Sequence, residues 1–320
     1  MLSEFIENIN RRREFRGVFR FNEPMAEHTS FKVGGPADLW IRPGGEIFPE
    51  YAALLLGEAR REGIPVFILG GGANIVVSDR GIRGIVLDTG AYTGELGLGK
   101  QEKPFQSPPV VPLGFAAGTS MDEAAEAAAA RALSGLEFLA GMPGSVGGAL
   151  WMNARCYERS VSDLLTAAEY FDGDTGRREI LEIRQEEFGY KKSPFQGKNR
   201  LILGGFFAVT PRPEGEIRAE MEEHRRDRKE KGHYRYPSAG SAFKNNRLSG
   251  APTGKIIDQL GLRGLSEGDA QVAPWHVNII INRGKARAED IRRLVERIKL
   301  MVKEALGLDL ETEILFTGDW

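Results

Sequence analysis

The sequence predicts an α+β protein with more than one core. Short apolar, strand-forming runs such as Val66–Leu69, Ile75–Val77 and Val277–Ile281 are separated by turns rich in glycine and proline. Phe48–Gly63 and Ala288–Leu306 instead repeat apolar residues at helical spacing. A length of 320 residues, 41% hydrophobic and 28% charged, is that of an ordinary globular chain with two or three domains.

In chain order, polar N-terminal residues lead to a strand over Leu39–Ile41. A helix follows over Phe48–Gly63, with Tyr51, Leu54, Leu55 and Ala59 on one face and Gly63 and Pro65 as its stop. Strands over Val66–Leu69, Ile75–Val77 and Ile85–Leu87 come next. Thr93–Pro109, rich in Gly, Lys, Gln and Pro, reads as a loop or boundary. A strand over Val110–Ala117 precedes an alanine-rich helix over Met121–Leu133, started by the capping pair Ser120 and Glu123. Strands over Ala167–Phe171 and Leu201–Thr210 end at a linker, Pro211–Gly215. The charged helix Glu216–Lys231 is expected to cross solvent or sit at a domain seam. A short helix over Gly254–Leu260, the strand Val277–Ile281, the amphipathic helix Ala288–Leu306 stopped by Gly307, and a strand over Glu311–Phe316 complete the chain.

A net charge of −2 argues against nucleic acid as the main partner. Cys156 is the only cysteine, which excludes an intrachain disulfide and a cysteine metal cluster and fits a reducing compartment. The N-terminus lacks an apolar core of signal-peptide length, and no segment approaches a membrane span. A cytoplasmic location is expected, with no membrane partner and no bound metal.

Two glycine clusters carry the chemical signal. Gly70, Gly71 and Gly72 with Ala73 and Asn74 separate two strand-like runs, and successive N–H groups bare of Cβ atoms suit a phosphate or pyrophosphate. A tight turn between two strands is the plain alternative. The second cluster, Gly141–Leu150, holds Gly144, Ser145, Gly147 and Gly148, where backbone can approach something flat or phosphorylated. The first is not a Rossmann fingerprint, because a strand follows it where a helix is required. Gly250–Ile256 fails the P-loop pattern by its spacing.

Five stretches occur in an order that resembles one family. They are H-T-S-F-K-V-G-G-P-A-D (His28–Asp38), L-G-G-G-A-N-I-V-V-S-D (Leu69–Asp79), G-M-P-G-S-V-G-G (Gly141–Gly148) with Met152–Asn153 after it, Y-P-S-A-G-S-A-F-K-N (Tyr236–Asn245) and L-E-T-E (Leu310–Glu313). The chain resembles the UDP-N-acetylenolpyruvoylglucosamine reductases, the MurB flavoproteins of peptidoglycan precursor synthesis, in their shorter, type II form. The resemblance implies a two-part FAD-binding region of the vanillyl-alcohol oxidase type, residues 1–90 and 91–212, and a substrate domain, residues 213–320. It implies FAD and NADPH as cofactors, UDP-N-acetylglucosamine enolpyruvate as substrate, and a monomer. Gly70–Asn74 would bind the FAD pyrophosphate, and Gly144–Gly148 would line the flavin.

The implied reaction passes a hydride from NADPH to FAD and on to the enolpyruvyl C3, while a side chain protonates C2. Ser241 matches the proton donor, and Glu313 matches the glutamate that assists at the substrate carboxylate. Tyr190, Lys244, Asn245, Arg263 and His276 match substrate-contacting positions. Taken alone, Ser241 would be a turn former, Glu313 a solvated strand residue and His276 a packing histidine. The sequence departs from the family twice. Lys191 stands where the family has the arginine that grips the substrate carboxylate, keeping the charge but losing the planar donor fork. Retained chemistry with weaker carboxylate orientation is expected, with Lys192 or another cation as the candidate to compensate. Ala154–Arg159 reads A-R-C-Y-E-R where the family has mostly glycine and alanine, and Cys156 there is expected as a small buried hydrophobe. A flavin oxidase of the same fold, or a non-catalytic nucleotide-binding protein, are the competing readings.

Overall fold

The computed structural model describes residues 2–97, 110–245 and 251–320, so most of the expected loop Thr93–Pro109 lies outside the described residues. Contacts divide the chain into two compact units, each discontinuous in sequence. The first comprises Met1–Arg20, Leu39–Gly71 and Gly84–Arg226; the second comprises Phe21–Asp38, Gly72–Arg83 and Asp227–Trp320.

The first unit opens with helix α1 (Leu2–Arg12), where the sequence reading expects no element. Its Phe5, Ile6 and Ile9 are buried in one cluster with Tyr51, Ala52 and Leu55 of α2 (Phe48–Glu62). Helix α2 stops where expected, with Gly63 left-handed at φ 66°. Strands β1 (Gly17–Pro24), β2 (Pro36–Pro43), β3 (Val66–Leu69) and β5 (Ile82–Asp88) pair in the order β1-β2-β5-β3. Strands β3 and β5 are parallel, with Val66 opposite Ile85. Strand β4 (Ile75–Val77) does not pair with β3, so the glycines between them are not a hairpin turn.

An antiparallel sheet forms the other core of this unit. Its strands β6 (Val111–Ala116), β7 (Leu165–Asp172), β8 (Arg177–Glu182) and β9 (Arg200–Pro211) pair in the order β8-β7-β9-β6. Three elements here depart from expectation. Helix α3 ends at Ala129, short of the expected Leu133, because Leu133 and Ser134 pair with Pro211 and Thr210 of β9. Strand pairing outweighs the helix propensity of the alanines. The glycine cluster contains an unforeseen helix, α4 (Val146–Met152), and β8 is likewise absent from the sequence reading. The Ser120–Glu123 capping box forms as expected. The charged helix α5 (Glu214–Glu230) contains the boundary between the two units, and its Ile217 and Met221 are buried in the core of the first.

In the second unit, β10 (Ser238–Ser241), β11 (Ala270–Ala273) and β12 (His276–Asn282) form an antiparallel sheet ordered β10-β12-β11, extended by Ser266–Glu267. Helices α6 (Thr253–Gln259) and α7 (Ala288–Leu306) pack with it, α7 burying Ile291, Leu294, Val295, Ile298 and Val302. The Asp79 carboxylate accepts from the N–H groups of Ala288 and Glu289 at 3.0 and 3.1 Å, capping α7 from a distant segment. The last strand is shorter than expected: β13 (Leu315–Thr317) lies parallel to β4, with Leu315 opposite Ile75.

Candidate active site

In the first unit the two glycine clusters meet. The Gly71 N–H donates to Ser145 Oγ at 3.2 Å across 74 residues of sequence. A Cβ on Gly71 would stand 2.7 Å from Gly144 Cα, so only glycine permits this approach. Ser145 also caps α4, accepting from Gly148 N–H at 3.4 Å. The N–H groups of Val146 and Gly147 are taken up by the carbonyls of Thr119 and Ala117 at 2.8 and 2.9 Å. Gly71 and Gly148 are exposed, which leaves two stretches of bare backbone against which a planar ring can lie.

In the second unit, Gly72, Ala73 and Asn74 continue the first cluster. Gly72 has φ 61°, and a Cβ there would lie 2.1 Å from the His28 carbonyl oxygen. Its own carbonyl accepts from Ser30 N–H at 3.0 Å, which joins the His28–Asp38 stretch to the glycine turn. The N–H groups of Gly72, Ala73 and Asn74 have no hydrogen-bond acceptor among the described residues. Three successive uncommitted donors fit a pyrophosphate.

The same unit brings the backbone of Glu313 to the residue that follows Ser241. Ser241 ends β10 opposite Ile279, just after the left-handed Gly240. The Glu313 N–H donates to the Ala242 carbonyl at 2.8 Å, and Phe243 bridges to Thr312. Residues 311–313, expected as ladder strand, are held by these single contacts instead. The Glu313 carbonyl accepts from Asn74 Nδ2 at 3.0 Å, so a residue of the glycine turn touches the catalytic candidate directly. The Ser241 hydroxyl has no hydrogen-bond partner among the described residues.

The other expected substrate residues of this unit are spread out. Lys244 pairs through Nζ with Glu311, and its N–H donates to the Glu311 carbonyl at 2.9 Å. Asn245 Oδ1 accepts from Thr253 N–H at 3.0 Å at the start of α6. Arg263 spends its fork on Asp258, at 2.6 and 2.8 Å, and on the Pro274 carbonyl at 2.6 Å. His276 faces His233 with ring centroids 5.7 Å apart, and its buried Nδ1 has no hydrogen-bond partner among the described residues. Burial holds both imidazoles below the usual histidine range, His233 at about 4.

Asn278 is the residue the sequence reading passes over. It is 4% exposed, accepts from Phe243 N–H at 3.0 Å through Oδ1, and donates to the Phe243 carbonyl at 2.9 Å through Nδ2. Its own carbonyl accepts from Ala242 N–H at 2.7 Å. Asn278 therefore fixes the two residues that follow Ser241. The available signal is an asparagine inside an otherwise apolar strand, where amides are disfavoured unless paired.

Comparison with known proteins finds related chains. The family description "UDP-N-acetylenolpyruvoylglucosamine reductase, C-terminal domain" fits residues 232–317, and "FAD binding domain" fits residues 50–181. The UDP-N-acetylenolpyruvoylglucosamine reductase of Treponema denticola is 42% identical over 315 residues, 95% of each chain. That of Treponema pallidum is 37% identical, again over 95% of each chain. The chain belongs to the UDP-N-acetylenolpyruvoylglucosamine reductase family. The crystal structure of UDP-N-acetylenolpyruvylglucosamine reductase (MurB) from Thermus caldophilus superposes with a TM-score of 0.72 at 32% identity, covering 94% of this chain and 99% of that one. Family members are flavoprotein oxidoreductases of peptidoglycan synthesis that use FAD and NADPH.

Both stretches expected to depart from the family pattern have a structural setting in the first unit. Tyr190 and Lys191 form the tip of a turn closed by reciprocal Gly189–Lys192 backbone bonds, both 3.1 Å. Lys191 has φ 58°, and its Nζ lies 5.9 Å from the Tyr190 ring centroid. Lys192 is exposed. In the second departure, Arg159 pairs with Cys156 and Ser160 with Arg155 around a two-residue turn. Its tip residues, Tyr157 and Glu158, have φ 47° and 62°, values that favour glycine or asparagine. Tyr157 is held by stacking on His224 at 4.0 Å and by donating its hydroxyl to the His224 carbonyl at 3.2 Å. Half-buried Cys156 donates its thiol to the Phe138 carbonyl. No helix among the described residues is long and apolar enough to cross a membrane.

Proposed function

We propose that this chain performs its family's reaction, reduction of the enolpyruvyl group of UDP-N-acetylglucosamine enolpyruvate to the lactyl ether, with Ser241 as proton donor. The observation that supports the assignment is the Glu313 N–H bond to the carbonyl of Ala242, the residue that follows Ser241. Bound FAD supplies hydride transfer, with NADPH as the source. Gly70, Gly71, Gly72, Ala73 and Asn74 would hold its pyrophosphate, the last three through uncommitted N–H groups, and Gly144, Ser145, Gly147 and Gly148 would line its ring. Hydride addition at C3 leaves charge that spreads from C2 into the substrate carboxylate. A fixed cation lowers the energy of that charge, and Lys191 takes this role. The uncommitted Ser241 hydroxyl gives its proton to C2, and Glu313 assists at the carboxylate. Tyr190, Lys244, Asn245, Arg263 and His276 contact the substrate. Residues 1–90 and 91–212 act as the two cofactor-binding parts and 213–320 as the substrate part, in a cytoplasmic monomer.

The test separates the half-reactions anaerobically in the FAD-loaded enzyme. In Ser241→Ala, NADPH bleaches the flavin as in the parent. Recovery on adding UDP-N-acetylglucosamine enolpyruvate slows by roughly a hundredfold or more, the usual worth of a positioned proton donor. Unchanged recovery would remove Ser241 from the mechanism.

A further inference from the structure

We propose that Gln196, with Asn153, is a positioning residue for Lys191, holding it from the end of the helix that carries the second glycine cluster. The inference rests on the reading of Lys191 as the carboxylate cation. Lys191 sits at a left-handed φ of 58°, a conformation a lysine leaves unless its surroundings hold it. The Gln196 side-chain amide supplies the hold. Its Nε2 donates to the Lys191 carbonyl at 3.1 Å and to the Trp151 carbonyl at 2.9 Å, spending both hydrogens on one bridge. Ser193 Oγ donates to the same Trp151 carbonyl at 2.7 Å. On the other side of the turn, Asn153 Nδ2 donates to the Gly189 carbonyl at 2.9 Å. Asn153 is itself fixed: it is the left-handed C-cap of α4, 3% exposed, and its Oδ1 accepts from Ser162 N–H at 3.1 Å.

All of these anchors lie at the last turn of α4. The first turn of α4 carries Gly147 and Gly148, next to its cap Ser145. A helix of this length spans about 10 Å and is stiff, so it sets a constant span between the glycine cluster and the Lys191 turn. An arginine could find a carboxylate through its two-pronged fork. A lysine is a point charge on a flexible stem and has no such guidance. Holding its backbone helps to aim it, and Gln196 and Asn153 are side chains that do so.

The test is a double-mutant cycle on the FAD-loaded enzyme with Gln196→Leu, Lys191→Ala and the double variant. Gln196→Leu is expected to raise KM for UDP-N-acetylglucosamine enolpyruvate, or lower kcat, by about tenfold, the worth of one lost hydrogen-bond bridge. Flavin reduction by NADPH stays at the parent rate. In the Lys191→Ala background the same change adds less than about twofold, because its target is gone. Gln196→Glu, which keeps size and polarity but cannot donate, repeats the result should the leucine variant fold poorly. Multiplicative effects in the double variant, or a lowered melting temperature with unchanged kcat and KM, would overturn the inference. Lys191→Ala with parent kinetics would instead overturn the reading of Lys191 beneath it.

Discussion

Replacing Asn278 with leucine tests how the Ser241 turn is held. The side chain has nearly the same size, so little volume is lost, but Phe243 loses the partner of its N–H and of its carbonyl together. Phe243 is 1% exposed, and water cannot readily replace either bond. A buried backbone group left unsatisfied costs about 1–3 kcal/mol, so two cost roughly 2–6 kcal/mol. Burying the leucine side chain returns about 1–2 kcal/mol. The net loss is about 3 kcal/mol, a fall in melting temperature of roughly 4–5 °C for a protein of this size. The Ala242 N–H bond to the Asn278 backbone carbonyl survives the substitution, so β10 and β12 stay paired. Asn278→Asp is a sharper variant: a carboxylate still accepts from Phe243 N–H but faces the Phe243 carbonyl with a second acceptor. Thermal unfolding of the FAD-loaded enzyme measures both. Flavin reoxidation by substrate should slow while reduction by NADPH does not, because the disturbance reaches Ser241 and not the glycine clusters. Melting temperatures within about 1 °C of the parent for both variants would refute the account of this turn.

Two other outcomes follow from the same geometry. Gly71→Ala forces a Cβ to 2.7 Å from Gly144 Cα, and the purified variant should carry far less flavin than the parent, as read from its visible absorbance; full flavin content would mean that the two clusters do not form the cradle. His233 is held at about 4 by burial first, with His276, Arg228 and Lys231 adding to the shift and Asp227 opposing it. An unfolded chain takes up a proton near pH 6.5 that the folded chain refuses until about pH 4, so this contribution is complete above pH 6.5 and is lost as pH falls toward 4. The parent should therefore lose more melting temperature between pH 7.5 and 5 than His233→Gln does, and equal losses would contradict the assignment.

Local signals made much of the fold legible. Helix α7 and the body of α2 follow from apolar periodicity, and the glycine stops and the Ser120 cap act within a few residues of the turns they govern. The two glycine clusters and Ser241 were legible as candidates because their residue types are unusual in their surroundings. Other elements depend on partners far away in sequence. The alanines after Ala129 leave the helix because β9 offers Leu133 and Ser134 a ladder, and β4 pairs with β13 from the far end of the chain. The same holds within the candidate site, where Gly71 meets Ser145, Glu313 meets Ala242, and Gln196 bridges Lys191 to Trp151. The sequence by itself determined which residues could do chemistry, since that is a property of each side chain. Only the tertiary structure decided which of them meet, because a hydrogen bond between distant segments depends on the packing of the whole unit and leaves no local pattern.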